Sequence, residues 1–104
     1  MKSYLLAYKG GAMAPTEEEQ QRAMAAWGAW FGSLGDAVVD AGNPFGESRS
    51  VASDGAVASG GAAALSGYSI LSADDIDAAV AQMQGCPILA AGGSVEVYEV
   101  YPVM

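Results

Sequence analysis

Near the start of the chain, apolar residues fall on both parities of a strand: Tyr4, Leu6 and Tyr8 on one, Leu5 and Ala7 on the other. Closed by the Gly10-Gly11 pair, this run predicts a strand over residues 2–9 followed by a loop. The period then changes. Met24, Trp27, Phe31 and Leu34 recur at helical spacing with Trp30 on the stripe's edge, which predicts a helix whose apolar face, Met24 included, enters the core. Thr16 and Glu19 form a capping box, Glu17 and Glu18 suit the positive helix end, and Gly35 supplies a stop just beyond Leu34. Ala25, Gly28 and Gly32 make a second, smooth stripe. Gly inside a helix costs about 1 kcal/mol relative to Ala, so two of them predict either an unusually close neighbour or a pocket against the sheet.

Val38 and Val39 begin a short strand, Gly42-Asn43-Pro44 interrupts it, and residues 48–52 continue it to an Asp54-Gly55 turn. Residues 53–64, rich in Gly, Ala and Ser, read as a mobile hairpin or loop. A strand over residues 67–71 leads to a second helix. Ser72 and Asp75 are its capping box, Ile76, Ala79, Val80 and Met83 its apolar side, and Gly85 and Pro87 its end. Residues 94–101 close the chain as a strand. The order β, α, β, β, α, β is the ferredoxin-like arrangement, an α+β fold in a single domain over residues 1–104. Such a sheet carries both helices on one face and leaves the other bare. Here Val95 and Val97 alternate with Tyr98 and Val100, so the bare face is apolar too, and an exposed apolar patch marks an interface. We therefore expect a homodimer formed through the sheet face.

Composition narrows the partners. The 104 residues hold 4 Lys plus Arg against 12 Asp plus Glu, a net charge of -8, and Lys2, Lys9, Arg22 and Arg49 form no cluster, so nucleic acid is repelled. The single Cys86 closes no disulfide within the chain, which fits a reducing, cytoplasmic compartment. Lys2 followed by an apolar run and Ala12-Met13-Ala14 imitates a signal peptide, but Lys9 breaks the run short of the about 7 to 15 apolar residues a secretory segment needs. No stretch has the roughly 18 apolar residues that span a bilayer.

Tyr4-Leu5-Leu6-Ala7-Tyr8-Lys9-Gly10, Trp27-Gly28-Ala29-Trp30, Gly42-Asn43-Pro44-Phe45-Gly46, Asp54-Gly55, Gly67-Tyr68-Ser69-Ile70 and Gly85-Cys86-Pro87-Ile88-Leu89, in this order and spacing, resemble the YCII-related family, also called DGPF-domain proteins. The resemblance runs from about Tyr4 to Tyr101. It implies a ferredoxin-like fold that pairs two sheets into a dimeric α+β barrel. It also implies, for some relatives, a His and Asp pair in a pocket, action on halogenated aromatics, or association with extracytoplasmic-function sigma factors. This chain has no His, so the His/Asp chemistry carries over to no position. Cys86-Pro87 stands where the family has His-Pro, and Asp54-Gly55-Ala56-Val57 where it has Asp-Gly-Pro-Phe.

Without His, the usual nucleophile and base pairs are closed to Cys86 and the serines. Cys86 follows a helix C-terminus, whose negative dipole end disfavours thiolate, so it reads as structural. Asp74, Asp75 and Asp77 lack calcium-loop spacing and read as stabilisers of a helix start; neither a metal nor a cofactor is implied. Trp27 reads as core or as a pocket wall beside Gly28, with Asp40, Ser69, Glu96 and Tyr98 as polar candidates on or beside strands. Two functions stay open. One is a homodimeric module that binds a small molecule or a protein partner; the other is a cofactor-free isomerase or lyase using carboxylate acid/base chemistry.

Overall fold

The computed structural model describes residues 1–10, 16–59 and 65–102. Gly11, the Ala12-Met13-Ala14 tripeptide and residues 60–64 of the low-complexity stretch lie outside the described residues. The elements are β1 (Lys2–Lys9), α1 (Glu17–Leu34), a 3-10 turn (Gly35–Ala37), β2 (Val38–Asp40), β3 (Arg49–Val51), β4 (Val57–Ser59), β5 (Leu65–Ala73), α2 (Ile76–Gln82), α3 (Pro87–Ala90) and β6 (Ser94–Val100). A four-stranded sheet runs β2-β5-β1-β6 with every neighbour antiparallel. With the helices, this is the expected ferredoxin-like α+β arrangement.

Strand register sorts the side chains. Tyr4, Leu6 and Tyr8 of β1 pair with Leu71, Ser69 and Gly67 on one side and with Glu99, Val97 and Val95 on the other. This set faces the helices. Leu6, Tyr8 and Leu71 pack with Trp30, Met83, Cys86 and Ile88, flanked by Trp27, Phe31, Leu34 and Val38. Tyr4, Ala73 and Ala79 form a second cluster bridged to the first through Val97.

α1 starts as read: the Thr16 hydroxyl accepts from the Glu19 N–H at 3.1 Å, and Gly35 ends the helix with φ 57°. Its packing differs from expectation. Met24 is 74% exposed, because only the C-terminal turns of the helix lie over the sheet, and Trp30, expected at the stripe's edge, is the residue α1 buries. Gly28 and Gly32 are exposed, and a Cβ at either meets nothing within 4 Å. The smooth stripe therefore faces outward and makes no close contact with the sheet.

Three other expectations are corrected. Residues 48–52 do not continue β2; Arg49–Val51 instead pairs with Val57–Ser59 in a separate two-stranded sheet. Ser72 is not a helix cap, because β5 runs on to Ala73. Asp75 itself caps α2, its carboxylate accepting from the Ala78 N–H at 2.8 Å. On α2, Ala79 and Met83 are buried as expected, but Ile76 and Val80 are exposed. No described helix is long and apolar enough to cross a membrane.

Candidate functional site

Among the described residues, no helix or second sheet covers the sheet face turned away from the helices. Two cross-strand rows build it: Asp40, Ile70, Leu5 and Tyr98 in one, Tyr68, Ala7 and Glu96 in the next. Leu5, Tyr68 and Ile70 are half-buried, while Tyr98 and Val100 are 51% and 43% exposed. The middle is apolar and the margins are polar.

Asp40 and Tyr68 form one margin. The Tyr68 hydroxyl donates to the Asp40 carboxylate at 3.3 Å, and that carboxylate accepts the Gly42 N–H at 2.9 Å. The chain folds back over β5 here, and Gly42 permits it: φ is 78°, and a Cβ would collide with the Tyr68 carbonyl. Phe45 then stacks on Tyr68, ring centroids 5.7 Å apart. Glu96 and Tyr98 form the opposite margin on β6. The Tyr98 hydroxyl donates to Glu96 at 2.6 Å and the Lys9 ammonium at 3.2 Å. Both, the tyrosine first, hold the Glu96 carboxyl below its ordinary range, while the same carboxylate raises the Tyr98 phenol. Glu96 is thus ionised at neutral pH and a poor proton acceptor. The two margins are three strand spacings apart, about 14 Å, so one chain does not gather Asp40, Glu96 and Tyr98 around a single small ligand.

Ser69 lies on the other face, fully buried. Tyr8 donates to its hydroxyl at 2.8 Å, and Ser69 donates onward to the Ala41 carbonyl at 2.7 Å. Burial pushes the Tyr8 phenol up to about 12, against the hydrogen bond to Ser69. This chain of donors ends on a carbonyl, which takes up no proton, so it fixes geometry and relays no acid or base. Trp27 is half-buried and meets the Tyr8 ring edge-on at 5.1 Å. Trp27 and Ser69 are thereby joined through Tyr8, a residue the sequence marks only as an apolar strand position. Its signal was a Tyr where Phe would fill the same volume, since a buried phenol requires a partner. Gly28 stands apart from both groups, exposed on α1 with open space where a Cβ would be.

Cys86 is buried, as expected, in a different setting. It precedes the short helix α3, so it sits at a helix N-terminus as well as after α2. Burial nevertheless raises its thiol, against a backbone hydrogen bond from Ile88. A cleft of about 220 Å³ between α2 and the end of β5, lined by Asp36, Ser72, Asp74 and Gln82, contains none of the candidate residues. It is smaller than the about 300–1,000 Å³ usual for ligand sites. Among the described residues no three His, Cys, Asp or Glu side chains converge as a metal centre.

Compared with known proteins, the chain matches the family model described as YCII-related domain over residues 1–104, its whole length. No curated protein and no solved structure matches it.

Proposed function

The chain belongs to the YCII-related domain family, and from that premise we propose a homodimeric binding module: two sheets face each other and enclose a space that takes a small molecule. The carrying observation is the uncovered sheet face, apolar through Leu5, Ile70 and Tyr98. Surface area supports it. The chain exposes 6987 Å², whereas a monomer of its 10.5 kDa mass exposes about 5,400 Å². The surplus, on the order of 1,500 Å², exceeds the roughly 800 Å² per partner that a standard stable interface hides.

Where the paired faces are held apart far enough to leave a space, its walls are apolar, with Asp40 on one margin and the Lys9, Glu96 and Tyr98 group on the other. Such a space suits a small molecule with an apolar body and a hydrogen-bond donor for a carboxylate. Binding is favoured over acid/base catalysis because the Glu96 carboxylate is already occupied as an acceptor by the Tyr98 hydroxyl and the Lys9 ammonium, whereas a general base needs an acceptor free to reach the substrate proton. Native mass spectrometry of the purified protein tests both halves. A mass of two chains plus a retained small molecule is expected; a bare single chain contradicts the reading.

A further inference from the structure

The hairpin of β3 and β4 stands apart from the main sheet. All six of its strand residues are exposed, and Val51 and Val57, paired directly across it, are 70% and 65% exposed. Its turn is nonetheless well specified. The Ala52 N–H donates to the Ala56 carbonyl at 2.8 Å, and the Gly55 N–H to the Ala52 carbonyl at 2.9 Å. The Asp54 carboxylate accepts from the Ala56 N–H at 2.9 Å, and Gly55 takes φ 89°. A lone two-stranded hairpin is marginal in water. A specified turn combined with a solvent-facing valine pair describes an element that is covered from outside its own chain.

The place of its root says by what. Tyr68 N–H donates to the Asn43 carbonyl at 3.3 Å and Phe45 N–H to the Ser66 carbonyl at 2.9 Å, so the segment before the hairpin runs along β5. Phe45 stacks on Tyr68, which belongs to the uncovered face. The hairpin therefore leaves the molecule at the margin of that face. From Gly46 to the turn, about eight residues at roughly 3.3 Å each reach about 25 Å, against about 10 Å between stacked sheets. A second copy seated on the open face lies within that reach. The surplus surface of on the order of 1,500 Å² is also larger than a standard sheet patch of roughly 800 Å² accounts for.

Resting on the dimer reading, we propose that the β3–β4 hairpin is a dimer arm: Val51 and Val57 dock on a second copy of this chain, and twofold symmetry returns that copy's arm to the equivalent surface. The test is sedimentation of the full chain over a dilution series, wild type beside the double variant Val51→Ser, Val57→Ser, with circular dichroism to confirm the fold. Dimer dissociation strengthened at least tenfold by the double substitution is expected. Equal dissociation constants overturn the arm and leave the dimer standing, whereas a wild type that is monomeric throughout overturns both. Hydrogen exchange of the wild-type chain gives a second reading that needs no variant. Amides of residues 49–51 and 57–59 gain protection as concentration rises through the dissociation constant; unchanged exchange in a chain that does dimerise overturns the arm.

Discussion

At the scale of single residues, the Tyr8–Ser69–Ala41 chain of hydroxyls makes an asymmetric prediction. Ser69→Ala leaves the buried Tyr8 phenol without its acceptor and should cost about 1–3 kcal/mol, whereas Tyr8→Phe removes the donor and leaves Ser69 bonded to Ala41, costing about 1 kcal/mol. Urea denaturation of the two variants checks the order. The raised phenol also fixes a direction with pH. The folded chain holds the Tyr8 proton up to about 12 against an ordinary value of 10.0, so the unfolded chain binds fewer protons between those values. Tyr8's contribution is full below pH 10.0 and is lost as pH rises toward about 12. Stability should fall over that window, and less steeply in Tyr8→Phe. Tyr4, Tyr98 and Tyr101, also raised, keep part of the slope. The alternation around Tyr8 and the position of Ser69 were legible in the sequence. Their meeting was not, because it depends on the pairing of Leu6 with Ser69 and of Tyr8 with Gly67, and a one-residue slip would have turned Ser69 to the open face.

At the scale of elements, α1 shows what periodicity reads and what it leaves out. Its cap, its length and its Trp27, Trp30, Phe31, Leu34 side follow from residue spacing, since these are local matters. Which turns meet the core does not. Eighteen residues make a helix about 27 Å long, longer than the patch of sheet it covers, and so Met24 is carried out into solvent. The outward Gly28 has open space around a built Cβ, so Gly28→Ala should stabilise the chain by about 1 kcal/mol. Thermal melting at fixed protein concentration measures it, and a lowered midpoint would contradict the outward, uncrowded placement of Gly28. The Asp54-Gly55 turn follows from its residues, but the expected continuation of β2 through residues 48–52 fails for a similar reason. Arg49–Val51 is short and exposed, with no apolar alternation to tie it to one sheet rather than another.

At the scale of the whole molecule, the chain is a flat two-layer sandwich. Its extents are 44 × 41 × 19 Å, and its radius of gyration of 15.1 Å exceeds the about 13 Å of a compact chain this long. One layer of helices covers one side of the sheet, and the other side shows Leu5, Ile70, Tyr98 and Val100. That second apolar parity was visible in the sequence, as was the family, because both depend on residue identities in order. The candidate site was legible only in pieces: Asp40, Glu96 and Tyr98 do share the open face, but on opposite margins, and only a second sheet laid over them makes one enclosed space. A shared site on this face therefore requires that it meet another face like it. Sedimentation equilibrium at micromolar concentration, wild type beside Tyr98→Asp, tests that pairing most directly. A wild-type mass of twice 10.5 kDa is expected, with at least tenfold weaker association in Tyr98→Asp, where the dimer would bury an unpaired charge beside Glu96. A wild-type mass of a single chain, or a dimer that Tyr98→Asp leaves unchanged, would contradict the pairing.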